Sequence, residues 1–134
     1  MPYVAIVTVL ALLQFFWFGW QVGVARTKYN IAAPAVSGND IFERVFRVHM
    51  NTLEQLVVFL PALWIFASYI SPLWAAGLGV VFIIGRAVYA RTYVKDPKSR
   101  SAGFAMTSLP VLALLVGILI WAVMALVKAP AAAG

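Results

Sequence analysis

The chain contains no cysteine, which removes disulfide bonds, thiolate metal sites and a protein thiol nucleophile in one step. It has a single histidine, His49, and four carboxylate side chains, too few to supply a metal centre of ordinary ligand count, and no HExxH or Ser-His-Asp arrangement. A glycine-rich phosphate loop is also missing. Charge of either sign is scarce, at 10% of residues against 64% hydrophobic ones. The apolar residues come in long blocks, which marks an integral membrane protein.

Four such blocks fill most of the 134 residues and leave no space for a separate soluble domain. The fold class expected is an all-α integral membrane protein, a four-transmembrane-helix bundle forming one domain over 1–134. The helices are expected at about 4–25, 41–70, 72–95 and 103–128. Val4 to Ala25 is interrupted only by Thr8, Gln14 and Gln21. At about 1.5 Å per residue it crosses a hydrocarbon core of roughly 30 Å. No side-chain positive charge precedes it and it exceeds a signal-peptide apolar run, so a retained span is expected. Leu53 to Ile70 holds Glu54, Gln55 and Pro61, and the polar segment before it reads as its helical extension, with Asp40 and Glu43 as a capping-box-like start. Ser71-Pro72 opens the third helix, and Pro110 is a kink position in the fourth. The Ala-rich tail suggests no further domain.

The basic residues cluster. Arg26, Lys28, Arg44 and Arg47 lie around the first connection, Arg86, Arg91, Lys95, Lys98 and Arg100 around the third, and Lys128 alone falls elsewhere. The positive-inside rule puts both basic connections in the cytoplasm and both termini on the non-cytoplasmic side. The net charge of +6 thus describes one membrane face, suited to anionic lipid and poorly suited to nucleic acid, for which there is no soluble module.

Ionisable groups at membrane depth are costly and usually functional. The segment FERVFRVHMNTLE, Phe42 to Glu54, spaces Arg47, Asn51 and Glu54 along one face of helix two, and Arg86, Tyr89 and Tyr93 share a face of helix three. Asn51 lies about 13 Å along its helix from Phe42, and Arg86 a similar distance back from Lys95, so the two faces are at matching depth. Two readings are open. A cavity with two guanidinium groups, a carboxylate, an amide and two phenols suits a small zwitterionic ligand. Alternatively, Arg47, Glu54 and Arg86 neutralise one another and hold the bundle together. Trp17, Trp20, Trp64, Trp74 and Trp121 read as an interfacial aromatic belt, and Gly77, Gly79 and Gly85 as packing residues.

FERVFRVHMNTLE, Arg86-x-x-Tyr89-x-x-x-Tyr93 and Arg100 together resemble the MAPEG family, membrane-associated proteins in eicosanoid and glutathione metabolism. The resemblance covers nearly the whole chain. It implies a homotrimer with glutathione as co-substrate in a cytoplasm-facing cleft between subunits. Carried over by position, it assigns glutathione binding to Arg47, Asn51, Glu54, Tyr89 and Tyr93, and to Arg26 from the adjacent subunit. Arg100 falls where the family sets an arginine against the glutathione sulfur, the catalytic position. The implied activity is a glutathione transferase, with peroxidase chemistry on lipid hydroperoxides beside attack on lipophilic electrophiles, and with no metal. The alternative is a non-catalytic lipid-binding membrane scaffold resembling 5-lipoxygenase-activating protein. A transporter or purely structural bundle would bind no thiol. Gln55, His49 and Thr27 depart from the leukotriene-forming branch, which argues against that particular synthesis. Asp96-Pro97 predicts that helix three ends before Arg100, which then reaches the site from a loop.

Overall fold

A computed structural model describes residues 1–129. Helix α1 (Pro2–Tyr29) starts on a proline, whose fixed φ suits a first helical turn, and ends at Asn30 in the left-handed conformation, φ 55°. Its buried residues, Val4, Val7, Ala11, Phe18, Val22 and Ala25, fall three, four or seven apart and form a single stripe. The other faces of α1 are apolar and exposed, as a lipid-bathed helix requires.

Helix α2 (Asp40–Tyr69) is capped one residue earlier than the expected Asp40–Glu43 box. Asn39 has an extended backbone, and its side-chain oxygen accepts from the Phe42 N–H at 3.0 Å. Asp40 and Glu43 instead occupy the first turn, where the positive end of the helix dipole favours them. Helix α3 (Pro72–Lys95) opens as its sequence suggests, with the Ser71 hydroxyl accepting from the Trp74 N–H at 3.2 Å. It ends at Asp96 because Pro97 drives the residue before it out of the helical region. A 3-10 turn, Pro97–Ser99, leads into α4 (Ser101–Lys128), which continues through Pro110. The tail from 130 onward lies outside the described residues. All four helices are long and apolar enough to cross a membrane.

Helices α2 and α3 form the central pair, with α1 and α4 packed on opposite sides of it. Phe59 of α2 stacks on Phe82 of α3 at 3.8 Å between centroids, and Leu63 and Leu114 are fully buried around them. Side-chain bonds pin the helices laterally: Gln14 Nε2 donates to the Ile83 carbonyl at 3.0 Å, Trp64 Nε1 to the Thr8 hydroxyl at 3.0 Å, and Arg44 to the Val94 carbonyl at 3.3 Å. In a bilayer each such bond contributes on the order of 0.6 kcal/mol, so they set register more than stability.

The closest helix crossing is between α3 and α4. A methyl group on Gly85 would stand 2.7 Å from the Met106 carbonyl carbon, and one on Gly103 would stand 2.7 Å from Tyr89 Cβ. Gly85 reads as a packing residue in the sequence, whereas Gly103 does not stand out there. Its signal is the small pair Gly103 and Thr107, four apart on α4.

Candidate functional site

The Gly103 crossing lays the start of α4 directly over the C-terminal third of α3. Arg47 and Asn51 of α2, Tyr89 and Tyr93 of α3, and Arg100, Ser101 and Phe104 then enclose a cavity of about 440 Å³. Tyr89 and Tyr93, one turn apart, stack with centroids 5.3 Å apart and 7° between planes, making one wall. Arg100 stands at the junction of the 3-10 turn and α4, where Pro97 turns the chain, as expected for an arginine reaching in from outside α3. Asn51 Oδ1 is buried and has no hydrogen-bond partner. Two arginines, two tyrosines and an asparagine line the cavity, and none of its lining residues is a carboxylate. Chemically, such a lining suits an anion.

Arg86 is not part of that lining, contrary to the face-sharing read from its spacing. It is fully buried and turned between α2 and α4. Its Nη2 donates to the Thr52 hydroxyl at 3.0 Å and its Nη1 to the Thr107 hydroxyl at 3.5 Å. Each threonine hydroxyl donates in turn to the carbonyl four residues back, Val48 at 2.7 Å and Gly103 at 2.8 Å, which leaves oxygen lone pairs for the guanidinium. The group lies 4.4 Å over the Tyr89 ring, behind the cavity wall. Hydrogen bonds to a charged group are worth about 1.5–3 kcal/mol each, so threonines, not Glu54, hold this cation at depth. Thr52 and Thr107 escape sequence reading because threonine in an apolar helix commonly satisfies its own backbone and nothing more. The Arg86–Thr52 bond does fix α2 and α3 at the matching depth that the spacing implies.

Glu54 and Arg26 stand apart from the other site residues within one chain. Glu54 is exposed, one turn beyond Asn51, and is not among the cavity-lining residues. Arg26 is drawn to the connection after α1: its Nη1 donates to the Ala35 carbonyl at 2.7 Å, and its guanidinium lies 5.0 Å over the Phe42 ring. His49 stacks on Phe15 at 4.5 Å, in the space left by Gly19.

The chain is similar to several known proteins. Uncharacterized protein sll1147 of Synechocystis sp. is 47% identical over 116 residues, covering 87% of this chain and 85% of the relative. Microsomal glutathione S-transferase 2 of Homo sapiens is 42% identical over 111 residues, covering 83% and 75%. Leukotriene C4 synthase of Rattus norvegicus is 33% identical over 96 residues, covering 72% and 64%. Residues 4–120, which include every residue of the cavity, match the MAPEG family, and to that family this chain belongs.

Proposed function

We propose that the chain is a membrane-bound glutathione transferase that activates the glutathione thiol for attack on lipophilic electrophiles, and that it reduces lipid hydroperoxides at the same site. The observation that carries this reading is the cavity of Arg47, Asn51, Tyr89, Tyr93 and Arg100, cationic, free of lining carboxylates, and with an unpartnered amide oxygen. A zwitterionic peptide supplies what these groups lack. Its carboxylates take the guanidinium of Arg47 in two-point hydrogen bonds, and its peptide groups meet the Asn51 side chain. The human and rat relatives, a glutathione transferase and leukotriene C4 synthase, support the same chemistry.

Arg100 acts on the sulfur. A free thiol has a pKa of roughly 8.5, so only a few per cent is thiolate at pH 7, and an adjacent permanent cation raises that share. The proton passes to water, the thiolate pair forms the C–S bond, and the leaving group departs with its electrons or an opened ring oxygen takes a proton. Phe104, the half-exposed apolar member of the lining, marks the side from which the lipophilic substrate meets the sulfur. In the peroxidase reaction two glutathione molecules supply the electrons, leaving alcohol, water and the disulfide.

The test is a thiolate absorbance titration of detergent-purified protein with glutathione at neutral pH. A saturable signal is expected. Its absence, alongside tight binding of lipid, would make the chain a non-catalytic lipid scaffold.

The active assembly is proposed to be a homotrimer with the thiol cleft between subunits, facing the cytoplasm, and with both termini on the opposite side. Arg26 and Glu54 lie outside the cavity of one chain, and a neighbouring subunit would complete the site with its Arg26. This predicts complementation. Arg26→Ala and Arg47→Ala each abolish activity alone, but co-assembled they restore about a quarter of the sites, because a random cyclic trimer pairs an intact Arg47 with an intact neighbouring Arg26 at that frequency. No recovery in mixed trimers of verified composition would place Arg26 in its own subunit's site.

A further inference from the structure

We infer that the chain carries a second ligand site, for an anionic membrane lipid, in the groove that α1 and α3 form over Ile41, Val45 and Val48 of α2. A cavity of about 750 Å³ opens there, with Trp17, Trp20, Ala87 and Ala90 forming an apolar trough and Lys28 and Arg91 on its walls. Its volume lies within the roughly 300–1,000 Å³ of small-molecule sites. No lining residue is shared with the thiol cavity, and none is a carboxylate.

Helix geometry separates the two sites. Lys28 follows Arg26 by two residues on α1, and Arg91 follows Tyr89 by two residues on α3, so each cation of the groove points about 160° away from the thiol-site residue beside it. The alanines keep the trough open, since Ala87 and Ala90 present no more than methyl groups where a larger residue would fill it. The inner end is closed by the bond from Gln14 to the Ile83 carbonyl, which draws α1 onto α3. From that tie Arg91 lies about 12 Å further along α3, and Lys28 about 21 Å further along α1. The two helices run in the same direction, so both cations stand toward the basic end of the bundle.

This arrangement takes an acidic headgroup between Lys28 and Arg91 and an acyl chain running inward toward Gln14. Basic pockets between membrane helices at that face bind acidic headgroups in this manner, and a zwitterionic headgroup gains much less. The occupant is an acidic lipid because Lys28 and Arg91 favour an anion over an uncharged electrophile, and within one chain the groove lies on the far side of the α2–α3 pair from Arg100. The site goes beyond the proposed transferase activity and does not depend on it.

Native mass spectrometry on the detergent-purified protein, titrated with dioleoyl phosphatidylglycerol or dioleoyl phosphatidylcholine, tests the site. Wild type is expected to retain the anionic lipid about tenfold more tightly than the zwitterionic one. Lys28→Gln with Arg91→Gln should remove that preference, and Ala87→Leu should lower retention of both lipids by filling the trough. Equal retention of the two lipids by wild type, an unchanged preference after Lys28→Gln with Arg91→Gln, or unchanged retention after Ala87→Leu would each overturn the site. Because the chain has no cysteine, Ala87→Cys introduces a single thiol. Protection of that thiol from maleimide in the intact oligomer, lost when detergent separates the subunits, would show that a second copy of the chain covers the groove, and would overturn it equally.

Discussion

Arg100→Ala is expected to lower kcat/KM for glutathione conjugation by about 30-fold at pH 7, the loss when an ionised thiol returns to the roughly 3% thiolate of a free one. Glutathione should still bind through Arg47, Asn51, Tyr89 and Tyr93, weakened at pH 7 only by the share that thiolate stabilisation contributes. The pH dependence identifies the cause. Without the arginine, thiolate comes from ionisation in bulk, so activity of the variant should climb as pH rises toward and past about 8.5, while wild type, already ionised, stays flatter. The attainable rescue is bounded at about 25-fold, the ratio of thiolate present at pH 9 to that at pH 7 for a group of that pKa. Parallel pH profiles for variant and wild type would remove Arg100 from thiolate formation. A variant with full wild-type kcat/KM would remove it from the reaction.

Gly103→Ala should damage the site from a position that touches no ligand. The added methyl would stand 2.7 Å from Tyr89 Cβ and closer still to the Tyr89 backbone, and backbone cannot rotate away. Helix α4 must shift outward, carrying Arg100 and Phe104 off Tyr89 and Tyr93, and Thr107 off Arg86. Overpacking of this kind costs about 1–3 kcal/mol, and the loss should appear both as a lowered Tm and as at least tenfold weaker glutathione binding. Gly77→Ala serves as the control, because nothing lies within 4 Å of a methyl at that position and both readouts should stay near wild type. Wild-type glutathione affinity in a folded Gly103→Ala protein would show that the α3–α4 crossing does not shape the cavity.

Much of the site is legible in the chain because helices translate spacing into faces. Arg47 with Asn51 and Tyr89 with Tyr93 are each four apart, and each pair enters the cavity together. Arg86 defeats the same reasoning. It sits three residues before Tyr89, within the width of one helical face, but a helical face is broad enough that one edge can look into the bundle while the other looks into a cleft. Two threonines on other helices decide which edge Arg86 takes. Helix starts show the same limit on a smaller scale, since Asn39 and Asp40 are both good caps and the backbone at Asn39 chose between them.

The sequence alone determined that this chain crosses a membrane four times, that its basic residues gather around the first and third connections, and that a polar set lies in the half of α2 and α3 nearest those connections. Local rules suffice there: apolar length, charge placement and a period of about 3.6 residues need no knowledge of neighbours. The tertiary structure decided which polar groups meet. The crossing at Gly103 brings Arg100 over Tyr89 and Tyr93, the threonine hydroxyls take Arg86 out of the cavity, and the tie from Gln14 to Ile83 closes the inner end of a separate groove beside Lys28 and Arg91. Those outcomes depend on backbone-to-backbone distance and on the rotation of each helix about its own axis, and both are set jointly by helices far apart in the chain.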